Sequence, residues 1–197
     1  MKCAHLFITL LAVLLIGAIP AAAAVYTYAP SDPDLGDLDH YNAYTWKINW
    51  THTSQPITGA SLTFHNMYDW IVEDGDILWV NLLNTPPTTA SGIKVYSDNQ
   101  NPSNYFANWD GALIGTWTDP EGGHSNGDVT FNFNPTMVST LNTYAADGVF
   151  GLGLDPDCHF YNCGVSLAVT TNPVPEPATM IMVGFGLVGL GIARRRK

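Results

Sequence analysis

Tyr44-Thr45-Trp46-Lys47-Ile48-Asn49-Trp50-Thr51 sets Tyr, Trp, Ile and Trp against Thr, Lys, Asn and Thr in strict alternation. Successive side chains of a strand point to opposite faces, so this two-residue period marks a strand with one buried face. Outward from it, short apolar runs recur at 60–64, 77–83, 93–96, 112–117, 129–133, 149–154 and 165–169. Between them lie turn formers such as Glu73-Asp74-Gly75-Asp76, Asn84-Thr85-Pro86-Pro87, Asp119-Pro120-Glu121-Gly122-Gly123 and Asn126-Gly127-Asp128, residues that supply positive φ, a fixed φ or a side-chain-capped turn. Eight short strands punctuated in this way predict an all-β domain, a β-sandwich of jelly-roll type. One segment, 135–146, breaks the pattern. Val138, Leu141 and Tyr144/Ala145 recur there at helical spacing, which predicts a short helix crossing one end of the sandwich.

The 197 residues leave room for one such domain, because both ends read as targeting segments. At the front, Lys2 precedes the apolar run 6–19, and Pro20 with Ala21 to Ala24 supplies the small-residue site that signal peptidase reads. This predicts a signal peptide over 1–24; a buried N-terminal helix would need a polar face that the run lacks. At the other end, Asn172-Pro173-Val174-Pro175-Glu176-Pro177-Ala178 leads into an apolar stretch over 179–193 and then Arg194-Arg195-Arg196-Lys197. The three prolines hold the approach extended and without amide donors, so that a processing enzyme can read the backbone as a strand. A helix over 178–193 rises about 24 Å at about 1.5 Å per residue, somewhat short of the roughly 30 Å hydrocarbon core. Arg194, Arg195, Arg196 and Lys197 form a stop-transfer tail that stays cytoplasmic and leaves the ectodomain, 25–171, outside. Both a temporary hook in the inner membrane and a permanent single-pass anchor fit this hydropathy.

The order Val174-Pro175-Glu176-Pro177-Ala178-Thr179-Met180, a Gly-rich apolar run and a basic tail closely resembles the PEP-CTERM sorting signal, also catalogued as the ice-binding protein C-terminal domain. The resemblance covers about 25 residues at 172–197. It implies export, recognition and cleavage by an exosortase, and a place at the cell surface or in the matrix of a bacterium that makes extracellular polysaccharide. By the same resemblance Pro175, Glu176 and Pro177 are the recognition element. It implies no ice binding, for which the repetitive Thr-rich face is missing. The segments from Phe64 to Trp70 and from Phe150 to Cys163 also resemble parts of a group of PEP-CTERM ectodomains, which implies a discrete domain without assigning an activity.

Between Val25 and Ala178 two lysines, Lys47 and Lys94, face all seventeen Asp and Glu, a formal balance of −15. Such a domain repels phosphate backbones, which excludes nucleic acid as a partner. Cys3 departs with the signal peptide; Cys158 and Cys163 remain as an even pair in an exported domain, and a disulfide closing a small loop is the expectation. The histidines at 40, 52, 65, 124 and 159 show no metal-ligand spacing, and there is no nucleophile elbow. No enzymatic activity is therefore expected. Asp69 with Glu73 or Asp74 is the nearest approach to a glycosidase carboxylate pair, as against a solvated acidic surface.

Three acidic stretches, 32–39, 119–128 and Asp155-Pro156-Asp157, could offer hard oxygen ligands to calcium, although none is an EF-hand loop. Asp155 and Asp157 are the best pair; a solvated turn is the alternative. Among the aromatics, Trp46 and Trp50 are expected in the core, whereas Trp70, Trp109 and Trp117 adjoin turns and could stack on sugar rings if exposed. Three functional classes follow: a polysaccharide-associated surface protein, a secreted polysaccharide-active hydrolase, and a structural matrix protein without a specific ligand.

Overall fold

A computed structural model of the chain describes residues 23–172, except 33, 72–74, 88–91, 100, 121 and 124–126, together with Gly184. The signal peptide expected over 1–24 and the sorting signal over 172–197 lie almost wholly outside the described residues. Among the described residues no helix is long and apolar enough to cross a membrane.

All eight expected strands form. They are β3 (Asn42–Asn49), β4 (Ile57–Phe64), β5 (Leu78–Leu83), β6 (Ile93–Ser97), β7 (Gly111–Trp117), β8 (Val129–Asn132), β9 (Val149–Pro156) and β11 (Val165–Thr171). Three more appear: β1 (Ala24–Tyr28), β2 (Asp37–Leu38) and β10 (Phe160–Tyr161). Two are only two residues long, too short to show a period. The third, β1, reads Ala-Val-Tyr-Thr-Tyr and abuts the apolar run that the sequence assigns to the signal.

The strands form a four-stranded sheet in the order β1-β11-β4-β8, a five-stranded sheet in the order β6-β3-β9-β5-β7, and the small pair β10-β2. Every pairing is antiparallel. One apolar core takes residues from both larger sheets: Trp46, Ile48, Val80, Leu82, Phe150, Leu152 and Leu154 from the five-stranded one, Leu62, Phe64, Phe131, Val165, Leu167 and Val169 from the other. Each fully buried side chain of this size contributes about 1.5–3 kcal/mol, which makes this core the dominant stabilising feature.

The expected helix is α1 (Pro135–Tyr144), continued by a 3-10 turn over Ala145–Asp147. Asn134 caps it, its side chain accepting from the Met137 amide, and Pro135 follows where a missing amide hydrogen costs nothing. Met137 and Leu141 are buried. Asn142 then ties the helix to β4 by accepting from the Ile57 amide and donating to the Ile57 carbonyl, both at 2.9 Å.

Candidate functional site

Strand β9 carries Phe150, Leu152 and Leu154 into the core, so Gly151, Gly153 and Asp155 occupy its other face. A Cβ on Gly151 would lie 2.5 Å from Pro86, and one on Gly153 would lie 2.7 Å from the Phe106 ring. Gly151 thus makes room for Pro86, and Gly153 for Phe106 of a covering segment, residues 101–110. Phe106 packs there with Ala43 and Leu83 in a second small core, flanked by Tyr96, Tyr105 and Trp109. Asn104 is held by reciprocal amide bonds with Asn81 of the neighbouring strand β5, at 3.0 and 3.1 Å.

This docking places the Tyr105 amide 2.7 Å from Asp155 Oδ2, to which it donates. Asp98, one residue past β6 and held by its amide donating to the Tyr41 carbonyl at 2.8 Å, stands beside Asp155 and Asp157, with one carboxylate oxygen of each within 4.8 Å of the others. Asp155 is completely buried and Asp98 is 7% exposed. Backbone and indole donors occupy one oxygen of each acid: Asp98 Oδ2 accepts from the Asn101 amide at 3.1 Å, and Asp157 Oδ2 from Trp79 Nε1 at 2.9 Å. Asp155 Oδ1 and Asp157 Oδ1 are buried and accept no protein hydrogen bond. Among the described residues the ion pairs are His65–Asp128 and His159–Asp37, so no cationic side chain offsets the three acids. Burial pushes the Asp155 carboxyl up to about 7, with the neighbouring charges of Asp98 and Asp157 acting in the same direction and the Tyr105 amide opposing. Burial also raises Asp98 and Asp157.

Of the residues singled out in the sequence, Asp155 and Asp157 are therefore brought together, and Asp98 and Tyr105 are additions. The turn-rich stretch Asp98-Asn99-Gln100-Asn101-Pro102 hints at a loop, with Asn99 at φ 58°, but nothing local connects it to Asp155.

The disulfide expected between Cys158 and Cys163 is not formed; both thiols are free. Cys158 is buried and donates to Asp69 Oδ2 at 3.2 Å, whereas Cys163 is exposed. Burial and its carboxylate acceptors push the Cys158 thiol far up, so that it stays protonated. Asp69 accepts in addition from the Trp70 amide, and its own amide donates to Asp119 Oδ2 at 2.8 Å. Both oxygens of Asp69 are thus engaged; Glu73 and Asp74, its expected partners, lie outside the described residues, as does His124.

The other histidines are dispersed. His52 stacks on Tyr26, His65 lies 2.9 Å from Asp128, and His159 lies 2.7 Å from Asp37 with the His40 ring 4.4 Å away. Asp39, near His40 and His159, already accepts from the Tyr41 amide and the Asn42 side chain. Trp46 and Trp50 are buried as expected. Trp109 and Trp117 are partly buried, Trp117 against Phe160, while Trp70 is 48% exposed. Its indole makes edge contacts with Tyr68 and Tyr161, which stack on each other at 5.4 Å.

No curated protein matches the chain. Among solved structures, Tomato aspermy virus is 9% identical over 87% of this chain and 96% of that one, with a TM-score of 0.31. A latent aurone synthase (polyphenol oxidase) is 10% identical over 75% of this chain and 29% of that one, at 0.27. Likeness of this size supports no conclusion about fold or function. Residues 173–197, in contrast, match the model of the PEP-CTERM protein-sorting motif, the stretch that holds Pro175, Glu176, Pro177 and the basic residues 194–197. The chain carries a PEP-CTERM sorting motif behind a β-rich ectodomain, the mark of an exported, exosortase-processed protein of the cell surface or extracellular space.

Proposed function

We propose that the chain is a non-enzymatic surface or matrix protein whose ectodomain associates with extracellular polysaccharide through Trp70. The exposed indole carries this reading: it is held upright by Tyr68 and Tyr161, and a flat, preoriented aromatic face is what a sugar ring stacks on. The acidic balance of the domain favours a neutral glycan over an anionic one. In this reading the N-terminal signal is removed by signal peptidase. The C-terminal helix holds an inner-membrane intermediate until exosortase releases the protein, and the two sheets are wound as a jelly roll. A hydrolase is less well supported, because both oxygens of Asp69 already accept from Trp70 and Cys158.

The test is affinity electrophoresis of the exported protein through gels containing the host's own extracellular polysaccharide. The wild-type protein is retarded and Trp70→Ala is not, while the variant still unfolds cooperatively, its Tm lowered only by the lost edge contacts with Tyr68 and Tyr161. Equal mobility of the two would leave a structural matrix protein without a specific ligand. Release of reducing ends from the polysaccharide would identify the hydrolase.

A further inference from the structure

We infer that Asp98, Asp155 and Asp157 form a calcium site on the outer face of the five-stranded sheet, with Asp155 Oδ1 and Asp157 Oδ1 as ligating atoms and Asp98 supplying the third carboxylate. This goes beyond the glycan reading and does not depend on it.

The first support is the pair of buried, unpartnered oxygens. Buried polar atoms in folded proteins are nearly always hydrogen-bonded, because leaving one unsatisfied costs about 1–3 kcal/mol. Here two such atoms belong to neighbouring acids, Asp155 of β9, completely buried, and Asp157 just past the end of that strand. The second oxygen of each acid is fixed by a directional donor, the Tyr105 amide for Asp155 and the Trp79 indole for Asp157. The two carboxylates are therefore oriented as well as buried, and one oxygen of each lies within 4.8 Å of an oxygen of Asp98.

The donor set selects the ion. It consists of oxygen alone and three carboxylates, with no thiolate or imidazole, which suits a hard divalent cation. A mutual spread within 4.8 Å fits inside a calcium shell, whose diameter at about 2.3–2.6 Å per bond is roughly 4.6–5.2 Å. Magnesium, at about 2.0–2.1 Å, needs a tighter octahedron and retains most of its water. An exported protein also meets abundant calcium. The site would join β9, the end of β6 and the covering segment 101–110, whose Tyr105 amide holds Asp155, so that the ion clamps that segment onto the sheet.

Exported protein recovered from its native host is stripped with EDTA and titrated with calcium at pH 8 by isothermal calorimetry and differential scanning calorimetry. Terbium luminescence excited through Trp79 provides a third readout. Calcium binds with a Kd in the range of about 10⁻⁴–10⁻³ M found for extracellular modules, and about 10 mM raises Tm by about 3–8 °C. Asp155→Asn, which keeps an acceptor for the Tyr105 amide, binds at least about tenfold more weakly and loses the Tm response, as does Asp157→Asn; Asp32→Asn, an exposed acid elsewhere, behaves as wild type. A wild-type protein with no calcium-dependent Tm shift and no terbium signal overturns the inference. So does a response that survives in Asp155→Asn, or one that magnesium reproduces at equal concentration.

Discussion

The Phe106 ring covers Gly153 so closely that a Cβ on the glycine would stand 2.7 Å from Phe106 Cδ2 and 2.9 Å from Cε2. This contact seats Tyr105 over the centre of a β-sheet, where its amide donates to Asp155 of the three-acid cluster. Gly153→Ala should therefore act in two ways. Overpacking lowers stability by about 1–3 kcal/mol, read as a shift in the denaturation midpoint at constant slope. Displacing Phe106 also shifts the Tyr105 amide that donates to Asp155, and so weakens whatever the cluster binds. A variant that keeps wild-type stability would show that the ring moves aside without strain.

The sorting motif makes a prediction about maturation. Glu176→Ala, or removal of residues 194–197, should leave the protein unprocessed or misplaced in the host, whereas the wild-type protein should begin at Val25 and lack the apolar tail. Intact mass spectrometry of the protein recovered from each strain reports both ends at once. Normal maturation of Glu176→Ala would refute a recognition role for that residue.

The free thiols should differ sharply in reactivity. Cys163 is exposed, and Cys158 is buried, protonated and hydrogen-bonded to Asp69. Iodoacetamide on the native protein should add one label, located at Cys163 by peptide mapping, and a second only after unfolding. An unlabelled native protein with a mass two hydrogens lower would instead mean a disulfide.

Burial, reinforced by the charges of Asp76 and Asp119, raises the Asp69 carboxyl above the ordinary aspartate value of 3.8. The folded state then binds a proton more readily than the unfolded state. The associated stability is fully present at acidic pH and is lost as pH rises from about 3.8 through the raised folded value. Asp69→Asn cannot ionise, so its stability should gain on that of wild type across this window. A difference in Tm that is constant from pH 3 to pH 8, the range to be scanned, would rule out this titration.

Core packing sets the scale for the rest. Leu152 is fully buried at the centre of β9, between β3 and β5. Leu152→Ala should cost about 2–5 kcal/mol, measured by chemical denaturation, through lost burial and the cavity left behind.

The sequence by itself determined the strands, because alternation such as Tyr44 to Thr51 is a local property and a strand with one buried face has no other way to arrange it. It also determined the helix, through spacing, Asn134 and Pro135, and the sorting motif, which is read by an enzyme as linear sequence. The tertiary structure decided what no local pattern can hold. Strands β2 and β10 are two residues each, and only pairing across more than 120 positions makes them strands. Asp98 lies 57 residues from Asp155, and only the pairing of β6 with β3, and of β3 with β9, sets it there. The two cysteines, close in sequence, take different surroundings, Cys158 buried and Cys163 exposed. Proximity along the chain proposed a disulfide, whereas in the fold the Cys158 thiol donates to Asp69.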